Sequence, residues 1–228
     1  MSFDDANPHH LHAVRRSLSA PRLAPYDQLA MTHGALGLRL YEWNLEASAA
    51  CYANLQTVEV CLRNAIHDQL TRRHQARALP GSWLNDPLRL LDPKCRADIA
   101  SAVARLVQQR KQVTPDAIVA ELTFGFWRYL LSKKYEHALW TPAIRHGFPH
   151  LRPQQRAELA EPVERLHRLR NRVAHHEPIH LRDLVADHHD MMVVLEAICP
   201  HTHSWARRLS LLPEVLYRRP VPRQRAGT

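Results

Sequence analysis

Apolar residues along this chain recur at intervals of three and four, and nowhere do they alternate with polar ones in the two-residue rhythm of a strand. The clearest stripe is Leu55, Val58, Leu62, Ala65, Ile66 and Leu70, one side of an amphipathic helix. No proline occurs from about Leu36 through His74, so this element, near residues 44–75, is the longest that the pattern predicts. Before it, "APYDQLAMTHG" reads as a short helix starting near Asp27, with Leu29 and Met31 turned inward. After it, "LPGSWLNDP" (79–87) has the composition of a loop. A helix from about Pro93 follows, with Ile99, Val103, Leu106 and Val107 as its apolar stripe.

Thr114 is an N-cap and Pro115 the first helical residue of the next element. Gly125 is expected to divide it into helices 115–123 and 126–138. "TPAIRHGFPHLRP" reads as a loop with a short turn. A helix over 153–176 is expected to stop there because Pro178 forces Glu177 out of helical geometry. A helix over 181–198 and a short one in "THSWARRLSLL" complete the series. The pattern therefore predicts an all-α bundle without a β-sheet or internal repeat. Residues 1–24 read as a flexible N-terminal segment, 25–212 as a single helical domain and 213–228 as a basic disordered tail.

Composition narrows the function. The 228 residues are 45% hydrophobic and 23% charged, ordinary for a globular protein, while only 6 glycines disfavour a fold of tight hairpins. Thirty-one Lys+Arg against 22 Asp+Glu give +9 and a pI near 9.9, which points toward a polyanionic partner. Cys51, Cys61, Cys95 and Cys199 form no C-x-x-C pair, so reduced, mostly buried thiols are expected. The first residues lack a basic stretch followed by an apolar one, and no apolar run approaches the roughly 20 residues of a membrane helix. The expectation is a cytoplasmic protein with no membrane partner. No nucleotide-binding glycine loop, dinucleotide fingerprint or G-x-S-x-G occurs, so no cofactor is expected.

The densest chemistry lies in "RLRNRVAHHEPIHL" (168–181). On a helix Arg172 and His176, at i and i+4, share a face, whereas Arg170 and His175, at i and i+5, stand about 140° apart. Both histidines would fall at the helix C-terminus, where the macrodipole favours an imidazolium. An imidazole beside arginines suits acid–base work on a phosphate, and a basic helix end capped by histidines suits the same residues. His175, His176, Glu177 and His180 supply metal-ligand types without a known ligand spacing, so no metal is expected. Glu59 and Arg63, at i and i+4, read either as a surface pair or, with Asn64, as support for a site. The aromatic run "TFGFWRYLL" (123–131) reads as core or interface, and "TRRH", "SKKY" and "WARRLS" as solvated faces with some capacity for phosphate.

"LRNRVAHHEPI" resembles the signature of the HEPN superfamily, an Arg, a polar residue, three variable residues and a His, in the form found in Abi-like abortive-infection proteins. Arg170, Asn171 and His175 match it, with His176 as the additional histidine of that branch. "NLQTVEVCLRNAIHDQL" (54–70), carrying Glu59, Arg63 and Asn64, resembles the early helix of those proteins, and "ELTFGFWRYLLSKKYEHALW" (121–140) their Phe-Gly-Phe-Trp segment. The resemblance covers most of residues 30–198. It implies a HEPN-like helical bundle with additional helices, a homodimer with a composite site, and a metal-independent endoribonuclease serving as a toxin or phage-defence effector. In that chemistry His175 is general base or acid, Arg170 stabilises charge on phosphorus and Asn171 orients the phosphate or histidine. His176, Arg172, Glu59, Arg63 and Asn64 support them. An antitoxin protein or small RNA is an expected regulator. Some relatives of this kind keep the fold as non-catalytic RNA-binding or protein-binding modules.

Overall fold

The computed structural model of the protein describes residues 8–33 and 37–220, apart from the side chains of 8, 32 and 33. The expectations for residues 1–7 and 221–228 lie outside the described residues. The described chain is all α, with no strand among its described residues. Its helices are α1 (Pro8–Leu18), α2 (Ala20–His33), α3 (Gly37–Ala76), α4 (Pro93–Gln108), α5 (Pro115–Glu121), α6 (Phe124–Leu130), α7 (Arg156–Ala174), α8 (Leu184–Ile198), α9 (Pro200–Leu209) and α10 (Leu212–Tyr217). No helix of the described residues is long and apolar enough to cross a membrane.

Contacts divide the chain into two compact units. The first comprises residues 1–53, 172–186 and 210–228, and the second 54–171 and 187–209. In the first unit, α1 forms within the stretch that the sequence reads as a flexible N-terminal segment, α2 extends from that stretch through the expected short helix, and α10 lies almost wholly in the stretch read as a disordered tail. The inward positions of α2 are Leu23, Tyr26 and Ala30, at i, i+3 and i+7. Met31 is 85% exposed, contrary to the expectation: on a helix Leu29 and Met31 stand about 200° apart, and the inward face of α2 is that of Leu23, Tyr26 and Ala30. Trp43 Nε1 donates to the Val215 carbonyl at 2.7 Å, which ties α10 to α3. The buried Asn44 accepts from Ile179 N–H at 2.8 Å, so a loop amide removed from water keeps its partner.

In the second unit Leu55, Val58, Leu62, Ile66 and Leu70 of α3 are all buried. Each fully buried side chain of this kind contributes about 1.5–3 kcal/mol relative to exposure. On α7 the buried stripe is Leu159, Val163, Leu166 and Leu169, again at helical spacing. Bidentate bonds from Arg165 to Asp190 fix α7 against α8, at 2.6 and 2.8 Å. The aromatic run supplies core, as expected: Phe124, Phe126 and Trp127 are buried, and Phe126 meets Trp127 edge-on at 5.0 Å. Gly147 has no room for a side chain, since a Cβ there would stand 2.8 Å from the Ala65 carbonyl of α3.

Thr114 caps α5 as expected, accepting from Ala117 N–H at 3.2 Å, with Pro115 at the first helical position. The break after α5 falls at Leu122–Thr123 rather than Gly125, which lies inside the first turn of α6. The expected helix 126–138 is likewise interrupted, giving α6, a 3-10 turn at Lys133–Tyr135 and a π turn at Glu136–Trp140. On α4, Cys95 and Ala102 join Ile99 and Leu106 inside, while Val107 is 62% exposed.

Candidate functional site

The motif helix α7 does not run to residue 176. It ends at Ala174, and the following turn is closed by bonds from His176 N–H to the Val173 carbonyl and from Glu177 N–H to the Arg172 carbonyl, at 3.1 and 2.8 Å. His176 takes a left-handed φ of 57°, the position usually given to glycine at a helix C-terminus. The expected i, i+4 pairing of Arg172 with His176 on one helical face therefore does not form. Arg172 instead turns onto the loop, donating to the Pro178 carbonyl at 2.7 and 3.2 Å and pairing with Glu177 at 3.6 Å. It clamps the turn that carries His175 and His176, both of which are exposed to solvent. The helix stops four residues before Pro178 because the Arg172 and Val173 carbonyls find partners in the turn.

In the second unit a polar cluster forms where α3, α6 and α7 meet. On α7 Glu164, His167, Arg170 and Asn171 flank the buried stripe on one side. Arg170 is 35% exposed and pairs with Glu59 of α3 at 3.7 Å. That separation exceeds a direct hydrogen bond, so the guanidinium keeps donors for a further acceptor. Glu59 also accepts from the Phe124 amide in the first turn of α6, where Thr123 makes no side-chain cap. One carboxylate thus serves both as counter-ion to the motif arginine and as an acceptor for an otherwise orphaned helix amide. Burial raises the Glu59 pKa, and the opposing pull of Arg170, Arg63 and the Phe124 amide does not fully offset it.

His167 occupies the middle of this cluster. It lies 3.5 Å from the Asn171 side-chain amide and meets the Phe124 ring edge-on at 5.8 Å. A Cβ on Gly125 would stand only 3.2 Å from His167 Nε2, so the glycine of the Phe-Gly-Phe-Trp segment leaves room for this imidazole. Arg128 pairs with Glu164 beside it. Burial, followed by the charge of Arg128, lowers the His167 pKa, and the ring is neutral near pH 7. Of the helix α3 residues singled out in the sequence, Glu59 contacts the motif arginine. Arg63 donates to the neighbouring Asn64 side chain at 3.4 Å, and Asn64 is exposed.

His167 was missing from the candidates drawn from sequence. Its signal was available in its spacing, four residues before Asn171 and three before Arg170, which puts all three on adjacent helical positions. Among the described residues no group of three His, Cys, Asp or Glu side chains is placed to hold a metal ion. Comparison of the chain with protein-family models, with curated proteins and with solved structures yields no match in any of the three.

Proposed function

We propose that the protein is a metal-independent endoribonuclease of the HEPN type, acting as a homodimeric toxin or phage-defence effector. The observation that carries this reading is the setting of Arg170: a partly exposed guanidinium, loosely paired with a carboxyl whose burial weakens its ionisation, beside Asn171 and a neutral histidine. Such an arginine can exchange its carboxylate for a phosphate without leaving a charge buried and alone. The basic balance of the chain agrees with an RNA partner.

In the proposed reaction an RNA 2′-OH gives its proton to a base and its oxygen attacks the adjacent phosphorus. The bond to the 5′-oxygen breaks, an acid protonates that oxygen, and the products carry a 2′,3′-cyclic phosphate and a 5′-OH. His175 is assigned to one of the two proton transfers by the motif, Arg170 to the charge that develops on the phosphoryl oxygens, and Asn171 to orientation. DNA lacks the nucleophile and is at most bound. His167, neutral and in contact with Asn171, is a second histidine suited to accept a proton.

The test is cleavage of diverse RNAs in EDTA by the wild type and by Arg170→Ala, His175→Ala and His167→Ala. Loss of activity in Arg170→Ala and His175→Ala, with folding intact, supports the assignment. If His167→Ala alone abolishes cleavage, His167 takes the role assigned to His175. Binding without cleavage by the wild type would instead favour a non-catalytic RNA-binding module.

A further inference from the structure

At the C-terminal end of α3, away from the Arg170 cluster along that helix, a narrow cleft with a free volume of about 40 Å³ opens to solvent. Its walls are overwhelmingly aliphatic, with Leu70, Leu79, Leu88, Leu91 and Leu139 among them. The single aromatic wall residue, Trp83, is buried, sets its Nε1 on His67 Nδ1 at 3.0 Å and meets Trp127 edge-on. It presents no free face on which a nucleobase could stack.

The rim has a pronounced charge. Arg73, in the last turn of α3, and Arg77, just past its end, both line the cleft, and a shallower groove alongside shares them and adds Arg72 and His146. None of these three arginines has a carboxylate partner among the described residues; Arg73 keeps one bond, to the Ala138 carbonyl. Asp86, the one acidic residue of the cleft, is already engaged by the Leu90 and Leu91 amides and by Arg96. In the wall, His74 is buried and its Nε2 has no hydrogen-bond partner. A buried polar atom left so costs about 1–3 kcal/mol.

We propose that this cleft binds a small amphipathic anion, its aliphatic chain among the leucines and its carboxylate or phosphate head on Arg73 and Arg77. An aliphatic body matches the walls, and an anionic head supplies the charge that the arginine pair lacks. The wall histidine lies within the same cleft and can turn toward a polar head that enters it.

Calorimetric titration of the full chain tests this with three probes: decanoate, decyltrimethylammonium and inorganic phosphate. The expected result is one decanoate per chain, with no heat from the cationic surfactant of equal chain length or from phosphate alone. Arg77→Glu, at an exposed position, should weaken decanoate at least about tenfold, equal to about 1.4 kcal/mol. Leu88→Trp should fill the cleft and abolish binding. Unchanged circular-dichroism melts of both variants establish that the fold is retained. Equal binding of decanoate and decyltrimethylammonium overturns the proposal in favour of unspecific apolar adsorption. Phosphate binding as tightly as decanoate overturns it in favour of a bare anion site. So does an absence of decanoate binding, or binding that neither substitution changes.

Discussion

His180 should make the protein lose stability in mild acid, by an amount that one substitution removes. The ring is 1% exposed, lies 4.7 Å from the Tyr26 ring, and has no hydrogen-bond partner on either nitrogen. Burial, reinforced by the charges of Arg219 and Arg172, brings its pKa down to about 4 from the ordinary value of 6.5. Because the folded-state pKa is depressed, the neutral ring is compatible with the fold and the imidazolium is not. The stability is fully present above the unfolded pKa and is lost as pH falls through the interval from about 6.5 to about 4. The full loss is about 3 kcal/mol, and about 2 kcal/mol of it is reached at about pH 5. Other histidines also titrate there, so the measurement is a difference of differences. Urea unfolding of the wild type and of His180→Phe at about pH 7 and pH 5 isolates the contribution of this ring. The wild type should lose about 2 kcal/mol more than the variant between the two conditions. Equal losses would refute the reasoning, since they would mean that His180 is protonated in the folded protein or has found a partner.

Two further perturbations follow from the second unit. Thr114→Ala removes the side-chain acceptor for the Ala117 amide at the start of α5 and should cost about 1 kcal/mol in chemical unfolding; no change would mean that water caps the helix as well. Gly125→Ala improves helix propensity by up to about 1 kcal/mol but presses on His167 Nε2 at 3.2 Å. Stability should hold within that margin while the His167 imidazole resonances shift in a heteronuclear NMR spectrum, and unmoved resonances would show that the glycine is not there for the histidine.

The all-α architecture was legible because the deciding signals are local. The stripe from Leu55 to Leu70 is a property of helical spacing, and Thr114-Pro115 marks a helix start whatever surrounds it. The helix ends were harder. Pro178 foretold a stop, but the actual stop depends on His176 entering the left-handed region, a conformation that a non-glycine residue does not advertise. The inward face of α2 was misread because Leu29 and Met31, two residues apart, point to opposite sides of a helix, while the buried face begins at Leu23, ahead of the expected start, and Met31 went from core to surface. The π turn at Glu136–Trp140 leaves no trace in a 3.6-residue pattern. At the candidate site, Arg170 and Asn171 could be named from their motif, whereas Glu59 as the arginine's partner depends on how α3 and α7 pack. His167 escaped because the motif directs attention past Asn171 toward His175, and its neighbours Phe124 and Gly125 come from a different helix.

The proposed transesterification needs the RNA's own 2′-hydroxyl, so a single-atom change in the substrate removes the nucleophile and nothing else. Once a cleaved RNA is in hand, the same oligonucleotide is prepared with a 2′-deoxy nucleotide on the 5′ side of the cut and incubated with the wild-type protein in EDTA. With the 2′-hydroxyl as nucleophile, cleavage at that position disappears while sites elsewhere remain, and the parent RNA yields 2′,3′-cyclic phosphate ends. Cleavage that persists at the deoxy position, or products with 5′-phosphate ends, would contradict it.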